Sequence, residues 1–135
     1  MQRKKSVIHD GVIVYNVPNL ELDEETKKQI KEILEWHGNE LLKITREMYD
    51  EVSKVKKKSW QESMRAYSEK KLPRTREAEL HNKVVEKLNQ INLGEENLRK
   101  LRFFLRTHTN SAIGEIYTIF KKGHKKPERF EIKMK

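Results

Sequence analysis

Lys54, Lys56, Lys57, Lys58, Arg65, Lys70, Lys71, Arg74 and Arg76 crowd into one stretch of the chain, interleaved with Trp60 and Tyr67. These residue types can do one kind of chemistry together. Cations neutralise phosphates and release their counterions, and aromatic faces stack on unpaired bases. From Lys54 to Arg76 there are nine basic and two acidic residues, a net of +7. An ordinary mixed surface is less one-sided. Arg99 and Arg102, with Lys100 and Arg106 beside them, form a second basic group. Lys121, Lys122, Lys125 and Lys126 form a third, within a C-terminal run of seven basic and two acidic residues. The competing reading makes the lysines a solubilising surface and places Trp60, Met64 and Tyr67 in a core, since helical spacing usually means packing.

Nothing else in the chain demands chemistry. It contains no Gly-rich phosphate loop, no Gly-x-Ser-x-Gly and no His-Glu-x-x-His. With no cysteines, disulfides and cysteine-based zinc sites are excluded. The histidines are His9, His37, His81, His108 and His124. His37 lies near Glu40 and His9 beside Asp10, but neither pair has a further ligand at a defined spacing, and zinc takes three or four. They read as polar-surface or helix-face residues. No catalytic residue, metal or cofactor is expected, although catalytic groups can assemble from distant positions without a motif.

The elements that would carry the basic groups follow from periodicity. From Asp23 to Leu72 there is no proline, and Gly38 is the one glycine. Ile30, Leu34, His37, Leu41, Ile44, Met48, Val52 and Val55 recur at steps of four and three, which is helical spacing. Asp23, Glu24 and Glu25 suit the positive end of a helix dipole. Residues 23–72 therefore read as one long helix or a collinear pair, with Lys56–Ser59 or Gly38 as the place of a kink. Fifty helical residues would span roughly 75 Å, more than a domain of this size can cover. The spacing thus predicts a homo-oligomer with coiled-coil character, its seam including Ile30, Leu34, Leu41, Met48 and Val52.

Around this helix, residues 1–6 read as a loose basic tail. Residues 7–17 form a strand region turned by Asp10-Gly11, a strong hairpin signal. Leu80, Val84, Leu88 and Ile91 mark a helix from Thr75 or Arg76 to Ile91. Asn92-Leu93-Gly94 breaks it, and Leu98, Leu101 and Leu105, widened by Phe103 and Phe104, mark another from about Glu95 to Thr107. Thr107 to Gly114 reads as a loop. Ile116–Phe120 and the alternating Phe130, Ile132 and Met134 read as a C-terminal β-hairpin over 115–135 with a basic tip at Lys121–Glu128. The expectation is a single α+β domain, mostly α: a long helix, two further helices and a small antiparallel sheet built from the N-terminal strand and the hairpin.

With 38% charged and 35% hydrophobic residues and a net charge of +9, two functions compete. One is a non-enzymatic, basic nucleic-acid-binding protein acting as a helical oligomer. The other is a helical protein–protein interaction module, an adaptor or inhibitor that meets an acidic protein surface. Charge attracts both partners alike. No apolar run approaches a membrane span, and no apolar segment follows the basic Met1–Lys5, so neither a membrane partner nor a signal peptide is expected. The missing cysteines fit a cytoplasmic setting.

Overall fold

A computed structural model describes residues 6–53 and 72–134. In chain order these form strands β1 (Ile8–His9) and β2 (Val12–Asn16), helices α1 (Glu24–Ser53), α2 (Leu72–Asn89) and α3 (Glu95–Lys122), and strand β3 (Arg129–Lys133). The class is the expected one, mostly helical with a small sheet.

The sheet starts from local chemistry. Asp10 at φ 47° and Gly11 at φ 78° make the two-residue turn that joins β1 to β2, the geometry an Asp-Gly pair favours in a hairpin. Ile8 then faces Ile13, and His9 faces Val12. β3 pairs on the other side of β2, in parallel, with Tyr15 opposite Ile132 and Ile13 opposite Phe130. A parallel pair needs a long crossover, and the helices supply it.

This corrects the expected C-terminal hairpin. Ile116–Phe120 is not a strand, and Thr107–Gly114 is not a loop. Both belong to α3, which runs on to Lys122. The reason is packing. Leu101, Leu105, His108, Ala112, Ile116 and Phe120 follow one another at steps of 4, 3, 4, 4 and 4, and all are buried. The apolar contribution of that stripe outweighs the strand preference of Ile116, Tyr117, Thr118 and Ile119. The helix ends on Gly123 at φ 68°. The Gly123 N–H donates to the Phe120 carbonyl and the His124 N–H to the Ile119 carbonyl, the paired bonds that close many helices on a left-handed glycine.

α1 begins where expected. Asp23 Oδ1 accepts the Thr26 N–H at 2.8 Å, a side-chain cap on an otherwise unpaired helix donor. α2 begins at Leu72, earlier than expected, because Pro73 falls in its first turn, where a missing N–H costs nothing. The candidate kink at Lys56–Ser59 lies outside the described residues. At the other candidate, Gly38, α1 continues unbroken.

Ile30, Leu34, Leu41 and Met48 are fully buried inside the chain's own core, with Ile44, Leu88, Leu101, Leu105 and Ile116. They do not form an intermolecular seam, because α2, α3 and the sheet already cover them. Val52, the fifth seam position, has no described side chain. Arg76 of α2 clamps α1 from outside: its Nε and Nη2 donate to the two Glu47 oxygens at 3.1 and 3.0 Å, and its Nη1 lies 3.3 Å from Glu79. On the sheet's free edge, Glu115 of α3 accepts the main-chain N–H groups of Val7 and Ile8 and the Ser6 hydroxyl, which occupies donors that an edge strand would otherwise leave open.

In β3, Phe130 and Ile132 are half-buried while Arg129, Glu131 and Lys133 are exposed, as the alternation predicts. Ile132→Asp should therefore lower stability by about 1–3 kcal/mol, the cost of burying an unpaired polar group. A denaturant midpoint equal to the parent's would contradict this packing.

Candidate functional site

Two polar groupings stand out, one inside the core and one on the surface. The inner one joins β2, α1 and α3. Tyr15 Oη lies 2.6 Å from His37 Nδ1, and His37 Nε2 lies 3.0 Å from Thr109 Oγ1. His108 Nε2 donates to the Val14 carbonyl at 3.0 Å, and its ring stacks on Tyr15 with centroids 4.0 Å apart. Tyr15, His37 and Thr109 are wholly buried. Burial holds the Tyr15 hydroxyl protonated by pushing its pKa well above the ordinary value. Burial first, and then the neighbouring His108 and His81, pull His37 down to about 3. Burial likewise pulls His108 down to about 4, against the opposing effects of the Val14 carbonyl and Glu115.

Both rings are thus neutral at pH 7. A Tyr15 hydroxyl donating to His37 Nδ1, with Nε2–H donating to Thr109, satisfies every member of the chain. Tyr15 and His37 are enclosed at the centre of this grouping, which ties three elements together as a polar lock. Both histidines are helix-face residues, one of the two readings expected of them: His37 faces inward from the α1 stripe, and His108 takes a position in the α3 stripe. Among the described residues, no three His, Cys, Asp or Glu side chains are placed to hold a metal.

The outer grouping is the solvent face of the first half of α3. From Asn97 to Gly114 there are four cations and no acidic residue. At roughly 100° per residue, Arg99, Arg102 and Arg106 line one flank of that face and Lys100 and Thr107 the other, with Phe103 between them. Phe103 is 73% exposed. Among the described residues, Lys100, Arg102 and Arg106 make no ion pair. Arg99 is bridged to Glu96 at 2.8 Å across an exposed surface, a contact that competes weakly with a ligand. His81 of α2 lies close enough to Arg102 and Arg106 for their charges to lower its pKa, though burial lowers it more.

Beside Phe103 lies a groove of about 640 Å³. Phe103, Phe104, Lys100 and Thr107 form one wall. Val14, Asn16, Pro18 and Asn19, from β2 and the segment after it, form the other, and His108 and Ser111 also line it. Helical spacing produces the first wall, because residues 100, 103, 104, 107 and 111 share a side of α3.

The other expected basic residues are distributed differently. Lys54, Lys56, Lys57, Lys58, Arg65, Lys70 and Lys71 lie outside the described residues, and the Arg74 side chain does too. Arg76 is occupied by Glu47 and Glu79 and leaves the candidate set. Lys121, Lys122 and Lys125 are exposed, whereas Lys126 sits over the Tyr49 ring at 5.0 Å. Nineteen residues of helix separate Arg102 from Lys121, about 28 Å, so that tip and the Phe103 face are separate patches. Sequence reasoning named Arg99 and Arg102 but missed Phe103, which it counted into the apolar stripe. The signal was available: Leu98, Leu101 and Leu105 already complete that stripe, and Phe103 falls opposite it.

Fold and site together define a mostly helical α+β protein with a polar lock in its core and a basic, aromatic-centred helix face. No protein-family model matches the chain, and comparison with curated proteins and with solved structures returns no match. Among the described residues no helix is long and apolar enough to cross a membrane.

Proposed function

We propose that this is a non-enzymatic nucleic-acid-binding protein whose described contact surface is the outer face of α3. The observation that carries the reading is Phe103, left 73% exposed in the middle of Arg99, Lys100, Arg102 and Arg106 with no carboxylate from Asn97 to Gly114. A large apolar ring in water is unfavourable by itself. Ringed by cations it suits a ligand that is both anionic and flat. The basic stretch from Lys54 to Arg74 and the Lys121–Lys125 tip would add phosphate contacts of the same kind. Homo-oligomerisation is not needed for this reading, since four of the five residues expected at a seam, Ile30, Leu34, Leu41 and Met48, are covered within one chain. An acidic protein surface is the competing partner, since protein interfaces are also enriched in aromatic residues and arginine.

Arg102→Glu combined with Arg106→Glu tests it. Both side chains are exposed, so the melting temperature should hold while affinity for oligonucleotides falls strongly. The magnitude of the salt slope should drop by roughly 0.7 per lost phosphate contact on a single strand. Unchanged affinity for every nucleic acid tried would reject the assignment of this face.

A further inference from the structure

We infer that the groove beside Phe103 receives an unpaired nucleobase of a single strand, so that the partner is single-stranded rather than duplex nucleic acid; this rests on the reading of the α3 face given above. A single strand offers three chemical features together: flat π faces, base edges with donors and acceptors, and a charged backbone. The groove and its rim meet each of them separately. Phe103 presents its exposed ring at the mouth, and Phe104 and Pro18 extend the apolar wall. Asn16, Asn19, Thr107 and Ser111 offer side-chain amides and hydroxyls within the same groove, able to donate and accept along a base edge. Lys100 lines it as well, and the arginines on the far side of Phe103 continue the positive rim along the helix.

A duplex presents the same phosphates but keeps its bases stacked inside, so it cannot use the ring or the amides. Stacking on an aromatic side chain is sequence-tolerant, because every base has a π face. The two asparagines add a means of discrimination between bases, since a side-chain amide can match a base edge in two places. The volume of about 640 Å³ falls in the range of small-molecule sites, roughly 300–1,000 Å³, enough for a base with part of its sugar.

The experiment compares three forms of the full chain: the parent, Phe103→Ala and Phe103→Trp. The probes are fluorescein-labelled 12-nucleotide single strands of DNA and of RNA, and the duplex of the same DNA sequence, followed by anisotropy at fixed salt. The parent should bind the single strands more tightly than the duplex. Phe103→Ala should weaken single-strand binding roughly 5- to 150-fold, which corresponds to about 1–3 kcal/mol for one stacked base, and leave duplex binding nearly untouched. Phe103→Trp should keep or strengthen single-strand binding. Phe103 is mostly in water, so thermal melting should be the same for all three. The DNA and RNA arms tell which sugar accompanies the base.

If Phe103→Ala binds single strands as the parent does, or loses duplex affinity equally, the groove takes no base, while the nucleic-acid reading of the α3 face stands on its own variants. If the parent binds none of the probes, both ideas fall together, and an acidic protein partner replaces nucleic acid.

Discussion

Acidification from pH 7 to about pH 4.5 should remove much of this protein's folding stability. The cause is the pair of buried histidines. His37 is held down to about 3 and His108 to about 4, whereas both titrate near 6.5 once unfolded. The folded state therefore refuses protons that the unfolded state accepts. Stability is fully present above pH 6.5 and is lost as the pH falls from there through the folded values. Each histidine contributes about 1.4 kcal/mol per pH unit inside that window. Two units and two rings remove roughly 5 kcal/mol, a large part of an ordinary domain's 5–15 kcal/mol. His81, also lowered by burial and by the nearby Arg106 and Arg102, acts in the same direction. Urea unfolding at pH 7, 6, 5 and 4.5 measures this. His37→Gln should flatten the slope by about one proton, while weakening the protein at pH 7 through the altered lock. A stability curve level between pH 7 and 5 would mean that these rings are not buried and neutral.

A second large effect is expected at Gly38, in the opposite direction to helix propensity. Replacing a mid-helix glycine by alanine ordinarily stabilises by about 1 kcal/mol. Here a Cβ would stand 2.6 Å from Cγ of Phe130 and 2.7 and 2.8 Å from its two Cδ atoms. That is the root and flank of an aromatic ring, not the far end of a movable chain, so α1 and β3 would have to part. Overpacking of this kind costs about 1–3 kcal/mol. Gly38→Ala should thus lower the denaturant midpoint, and adding Phe130→Leu should recover part of the loss, because a smaller side chain vacates the notch. A stabilised Gly38→Ala would show that the sheet does not dock on α1 at this point.

Gly38 also shows what a sequence can and cannot disclose. Its presence inside a helical stripe was plain, and a kink was the natural expectation. Its use as a notch depends on Phe130, far away in the chain, and no local pattern connects the two. The parts read correctly were those with local causes: the Asp10-Gly11 turn, the stripe from Ile30 to Met48, and the alternation through Phe130 and Ile132. The C-terminal half of α3 was misread because His108, Thr109 and Ser111 interrupt its apolar stripe with polar residues. They are tolerated there because partners exist: His108 reaches the Val14 carbonyl, and Thr109 reaches His37. Those partners lie 94 and 72 residues away. The same distance in sequence hid the Arg76–Glu47 clamp, which removes one cation from the basic surface. The positive character of α3 was legible from composition, but the exposure of Phe103 was not, since it depends on which face the core chooses.

The central claim is that the α3 face binds nucleic acid through cations and one exposed ring. Its most direct test is a salt-titrated anisotropy measurement of the parent protein and of Arg102→Glu with Arg106→Glu on a labelled single strand. The account predicts parent binding whose log K falls linearly with log salt concentration, and a double variant with much weaker binding and a shallower slope. Equal affinity and equal slope for the two proteins, or no binding by the parent at low salt, would contradict it.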